Sequence, residues 1–191
     1  VRERADVAAA FAAAVGDHGR IHTVVWGAGP VVPQAMIADW TEDMFRQSME
    51  IEAFGFNNAV HAALPHMRAN GGGSFVHLGS AGHDWWPLLD GLSVAPKACN
   101  EALIKGIAKE EGRNEIRANS ILVGVIDAGQ FQVGKEAGTF TPEWEAAVKA
   151  MLPIKRWGSP RDIGQAAVFF ASDRANYVTG QTISVAGGFG V

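Results

Sequence analysis

Ser74-Phe75-Val76-His77-Leu78-Gly79-Ser80 is the stretch on which the fold turns. It follows Gly71-Gly72-Gly73, which ends the helical spacing before it, and its aromatic and aliphatic residues run unbroken into a loop, so it reads as a buried strand. The next regular segment, Ala95 to Glu111, is helical, with Pro96 tolerable in a first turn. Strand and helix alternate outward from this pair in both directions. Upstream, Asp6 to Val15 has Val7, Phe11 and Val15 at helical spacing and is expected to stop at Gly16 and Gly19. Ile21 to Trp26 is a β-branched run entering the loop Gly27-Ala28-Gly29-Pro30; Thr41 to Met49 reads as a helix capped by Thr41, and Ala53 to Met67 as a longer one. Downstream come a strand over Arg117 to Val125, a helix over Asp162 to Ala171 and a strand over Gln181 to Val185, with Gly129 to Thr141 reading as a polar, mobile loop. This alternation predicts an α/β fold, a doubly wound, Rossmann-like parallel sheet covered on both faces.

At 191 residues and 48% hydrophobic content the chain has enough apolar matter for one core, and nothing marks a boundary, so residues 1–191 are expected to be one domain. A net charge of -4 without basic clusters argues against nucleic acid or an anionic membrane as partner. The lone Cys99 excludes a disulfide framework and a multi-cysteine metal site. His61, His66 and His77 have no metal-ligand spacing, and no metal is expected. With no signal-peptide pattern and no apolar run of membrane-spanning length, the expectation is a cytoplasmic protein.

Three further stretches carry a resemblance. Ser80 is followed thirteen residues later by Ser93-Val94-Ala95-Pro96-Lys97; Arg117-Ala118-Asn119-Ser120-Ile121-Leu122-Val123-Gly124 comes next; and the end holds Leu152-Pro153-Ile154-Lys155-Arg156-Trp157-Gly158-Ser159-Pro160-Arg161-Asp162-Ile163, then Val178-Thr179-Gly180-Gln181-Thr182-Ile183-Ser184-Val185-Ala186-Gly187-Gly188. Together they resemble the short-chain dehydrogenase/reductase family, in which a Ser, a Tyr and a Lys at the spacing of Ser80, Ser93 and Lys97 carry proton transfer coupled to hydride transfer with NAD or NADP. The resemblance covers essentially the whole chain but only the last three quarters or so of the family fold. A family member opens with a strand, a glycine-rich phosphate-binding turn and two more strands, so the sheet is expected to be truncated or disordered at its N-terminal strands, and the sequence to be the ordered part of a longer protein. Gly71-Gly72-Gly73 does not replace that turn, because it precedes a strand instead of following one.

The resemblance places Ser80, Ser93, Lys97 and Glu52 at the catalytic positions and Ala28, Gly29, Lys97, Gly124 and Ile126 at the cofactor. Ser93 stands where the family has Tyr and Glu52 where it has Asn. A phenol ionises near pH 10 and a neighbouring ammonium can pull it toward neutrality; an aliphatic hydroxyl ionises far higher and is shorter. Trp26-Gly27-Ala28-Gly29 replaces an Asn-Asn-Ala-Gly turn, and Val123 and Ala128 replace a Pro and a Thr around Gly124. For Ser80 the alternatives are a carbonyl-polarising hydroxyl or a cap for the following loop; for Lys97, a ribose contact or pairing with Glu52; for His83 and Asp84, an acid or mere packing beside Trp85 and Trp86. Trp85-Trp86-Pro87-Leu88-Leu89 is either substrate-loop surface or an oligomer contact.

The expected function is a non-catalytic subunit, in a homo- or hetero-oligomer with chains of the same family, supporting an active NAD(P)-dependent alcohol or hydroxyacyl dehydrogenase, with a small molecule or acyl-CoA as the possible substrate. The alternative is an active NAD(P)-dependent ketone reductase or alcohol dehydrogenase with an atypical proton donor.

Overall fold

The computed structural model describes residues 1–191. In chain order the elements are helix α1 (Arg4–His18), strand β1 (Thr23–Trp26), helix α2 (Glu42–Met49), a π-helical turn (Glu50–Phe54), helix α3 (Gly55–Ala69), strand β2 (Gly73–Ser80), helix α4 (Gly91–Glu111), strand β3 (Ile116–Val123), helices α5 (Gln130–Glu136), α6 (Pro142–Met151) and α7 (Pro160–Ala171), and strand β4 (Thr182–Val185). The strands form one parallel sheet in the order β1-β2-β3-β4, with Trp26 beside His77 and His77 beside Ser120.

The period-two alternation of β2 and β3 splits the core between the two faces. Phe75, Ile116 and Ala118 join Val24 and Trp26 of β1 under Phe56, Ala63 and Met67 of α3 and Ile104 and Ile107 of α4. Val76 and Ile121 face the other way, onto Ile163 and Phe170 of α7. The expected doubly wound layout is therefore present. Because the strand order advances steadily while α7 lies on the face opposite α3 and α4, the β3-to-β4 connection is opposite in hand to the two before it. Parallel crossovers almost always share one hand. Arg117 secures the α7 connection by donating to the Phe170 carbonyl at 2.7 Å, and Asn119 donates to Val178 O at 2.9 Å.

Several elements differ from expectation. Gly16 does not stop α1, since a helix tolerates a glycine at about 1 kcal/mol relative to alanine; the helix ends at Gly19, whose φ of 80° closes it with an N–H to Val15 O of 2.7 Å. Thr41 does cap α2, accepting from Met44 N at 3.2 Å. The α2 and α3 segments form one continuous rod through the π turn instead of two separate helices. Gly129 to Thr141 is not a loop throughout: it contains α5, whose Phe131 packs with Phe140, Trp144 and Trp157. Gly134 makes this possible, because a Cβ there would stand 2.3 Å from the Phe140 ring.

Pro96 lies in the second turn of α4, not the first, because the helix starts at Gly91. Proline has no N–H, so Leu92 C=O loses its helical donor. The buried Ser48 hydroxyl on α2 donates to that carbonyl instead. Ser48→Ala is expected to cost about 1–2 kcal/mol by leaving the carbonyl unpaired. Urea denaturation that shows no loss would rule out this role for the hydroxyl.

Candidate active site

The C-terminal ends of β1, β2 and β3 open beside the first half of α4, which is where parallel α/β sheets take their ligands. Lys97, the residue after Pro96, extends its ammonium to the Glu52 carboxylate on the π turn. The Glu52 side chain is only 2% exposed and that of Lys97 17%. Burial pushes the Glu52 carboxyl above its ordinary value, and Lys97 opposes that shift without cancelling it. Asn100, one turn further along α4, donates to the Glu52 backbone carbonyl at 3.2 Å. Of the two alternatives for Lys97, pairing with Glu52 is what the geometry holds.

Ser80 ends β2 and accepts the Gly82 N–H at 3.1 Å, so it caps the short turn Ala81–His83. Its own hydroxyl proton remains available for donation. Ser93 sits in the first turn of α4, its amide bonded to Asp90 O at 3.0 Å, and no side-chain hydrogen bond joins it to Ser80 or Lys97. Ser80 at the end of β2 and Ser93 and Lys97 on the first two turns of α4 thus each keep a separate set of hydrogen bonds.

The other sequence-selected residues divide by surroundings. Ala28 packs against the α3 side of the core. Gly29 lies against the Glu52 carboxylate, where a Cβ would come within 2.3 Å of Oε1, and accepts from Gln130 Nε2 at 3.4 Å. Gly124 is required by sheet packing, since a Cβ there would stand 2.6 Å from the Ala186 Cα. Ile126 bridges to Gly158 and packs on the α7 side of the core. His77 is fully buried, bonded through Nδ1 to Ser120 Oγ at 3.0 Å, and burial together with the Lys97 charge lowers its pKa to about 3. His61 bonds its own helix at Asn57 O. No group of three or more His, Cys, Asp or Glu is placed to hold a metal ion.

One residue of consequence was not selected from sequence. Glu101, on the same inward stripe of α4 as Lys97 and Ile104, receives His83 Nδ1 on its carboxylate. The Glu101 side chain is 4% exposed and the His83 side chain 43%. Gly79 creates the space: a Cβ there would meet Glu101 Oε1 at 2.5 Å. Burial raises the Glu101 carboxyl, while His83 and the Ser80 backbone draw it back. A charged residue recurring at the spacing of a core stripe is the signal that could have found it. His83 thus has a defined partner, beyond packing beside Trp85 and Trp86.

The walls above the site come from two loops tied together. Ala35 N donates to Leu89 O at 2.9 Å, and Gln34 Nε2 to Asp90 Oδ1 at 3.1 Å. Gly91 lets Trp40 and Trp86 close over it, each within 2.6 Å of where a Cβ would be. Between the loops runs an apolar cleft of about 430 Å³ lined by Met36, Ile37, Trp86, Leu88 and Leu89 among others.

The model of a family described as enoyl-(acyl carrier protein) reductase matches residues 1–190. The 7alpha-hydroxysteroid dehydrogenase of Escherichia coli is 30% identical over 175 residues, 92% of this chain and 66% of that protein. The chain belongs to the short-chain dehydrogenase/reductase family. A short-chain dehydrogenase/reductase from Mycobacterium ulcerans superposes with a TM-score of 0.91 at 29% identity, covering 98% of this chain and 66% of that one. A 7 alpha-hydroxysteroid dehydrogenase complexed with NADH and 7-oxo glycochenodeoxycholic acid superposes at 0.88 and 28% identity, over 98% and 71%. The chain thus spans about two thirds of the length of these short-chain dehydrogenase/reductase relatives. No helix in it is long and apolar enough to cross a membrane.

Proposed function

We propose that the chain is a subunit silent in the family's hydride-transfer reaction, supporting an active NAD(P)-dependent dehydrogenase paralogue within an oligomer in the cytoplasm. The observation that carries this reading is the buried pairing of Lys97 with Glu52. In the family the lysine holds the nicotinamide ribose and lowers the pKa of the tyrosine; here its charge is matched by a carboxylate packed against Gly29, and Ser93 supplies no phenol. This arrangement does not fit the ribose end of NAD or NADP as a Tyr-Lys pair would hold it.

The measurement is binding and turnover by the full chain. The isolated protein is expected to show no saturable change in NADH or NADPH fluorescence and no oxidation of either with ketones, yet to co-purify with a homologous dehydrogenase on co-expression. Cofactor binding that disappears in Lys97→Ala would overturn it in favour of an active reductase with an atypical proton donor. One observation favours that second reading, the His83 imidazole oriented by Glu101 in the turn that follows β2.

A further inference from the structure

We propose that Ser80, His83 and Glu101 form a nicotinamide-independent proton-transfer site that exchanges the hydrogens α to the carbonyl of an apolar ketone. The inference goes beyond the function proposed above and does not depend on it, since nothing in the step requires the Tyr position or a hydride.

Three observations meet here. His83 has one ring nitrogen committed, Nδ1 to the Glu101 carboxylate, which leaves Nε2 free on a side chain that is nearly half exposed. A carboxylate buried behind an imidazole fixes its tautomer and stabilises the imidazolium formed when Nε2 takes a proton. Ser80 accepts from Gly82 N through its oxygen lone pairs, so its O–H is free to donate to a substrate oxygen. The loop that begins with His83 runs on to Trp86, Leu88 and Leu89, which line the apolar cleft. A hydrogen-bond donor for a developing oxyanion thus ends β2, the base follows it three residues on, and the loop leaving that base leads to an apolar cleft.

The step balances within these groups. His83 Nε2 removes a proton from the carbon beside the carbonyl; the C–H electron pair becomes the new C=C bond; the carbonyl π pair moves to oxygen, which accepts the Ser80 O–H. Reversal returns a proton from the imidazolium, and because the ring is exposed that proton exchanges with water. Nothing is oxidised or reduced. Glu101 is a positioning residue, acting through His83.

The probe is cyclohexanone in deuterated buffer, without nicotinamide, with loss of α-proton signal followed by NMR. The full chain is expected to exchange deuterium into the ketone, and His83→Gln, on an accessible loop, to lose about a hundredfold in rate. Glu101→Gln is expected to lose about tenfold, to be restored by Glu101→Asp, and to shift the ring nitrogen resonances of His83, which a merely structural effect would leave in place. Exchange no faster than buffer, or exchange that His83→Gln leaves intact, would overturn the proposal. Because the assay contains no cofactor, either result is independent of whether the chain binds NADH.

Discussion

Lys97→Met is expected to lower the stability of the fold by about 3 kcal/mol near neutral pH and by distinctly less in acid. The reason is the carboxylate it abandons. Glu52 is buried, and its partner is the one ammonium that reaches it; with that removed, the charge has neither water nor a counter-ion. Burial already holds the Glu52 carboxyl above its ordinary value in the intact protein, and losing Lys97 raises it further. A carboxyl raised on folding contributes its stability below the unfolded value and loses it as pH rises through the folded one. The penalty therefore grows from acid to neutral, and urea denaturation at pH 5 and pH 8 reads it directly. Adding Glu52→Gln to Lys97→Met is expected to recover much of the loss, since a neutral amide removes the stranded charge. A single variant equally unstable at both pH values would point to lost packing instead.

Phe56→Ala is expected to cost about 4 kcal/mol, the usual size for emptying a large aromatic from a tight core. Phe56 is fully buried, with its ring 5.8 Å from that of Trp26, 5.8 Å from His77 and 6.3 Å, edge-on, from Phe75. It is the middle of the layer under the candidate site. Its removal also has a signature in pH. His77 is kept neutral by burial, with a pKa of about 3; a base lowered on folding stabilises above its unfolded pKa of about 6.5 and is lost as pH falls from there toward the folded value. Water entering the cavity would raise His77 and flatten that acid dependence. Thermal unfolding across pH 4 to 7 measures both the loss and the slope.

The sheet was legible because its strands announce themselves: Phe75-Val76 and Ile121-Leu122 are apolar on consecutive residues, as strands covered on both faces must be. The helices were less so. Gly16 inside α1 and Gly134 inside α5 are written as breaks but serve as tolerated or space-making residues, decided by the tertiary neighbours. At the site, Lys97 and Glu52 could be named and their pairing foreseen as one of two outcomes, whereas Glu101 had only its place on the α4 core stripe to mark it, against the rule that a glutamate on a long helix ordinarily faces water. What turned it inward was the absence of a side chain at Gly79 on another element, 22 residues earlier in the chain. The stripe marks the position locally; the space that receives the side chain is set by a distant residue.

The π turn over Glu50–Phe54 contains one residue more than an α-helical turn would hold, so α2 and α3 are out of phase by roughly 100° across it. Glu52 lies inside that offset, and Ser48, which holds the α4 carbonyl, lies just ahead of it. Deleting a single residue from the turn would rotate one partner away from α4 while the other stayed. The state of this pocket is therefore recorded in a count of residues as much as in their kinds, and a change of chain length by one, with every side chain kept, would rewrite it.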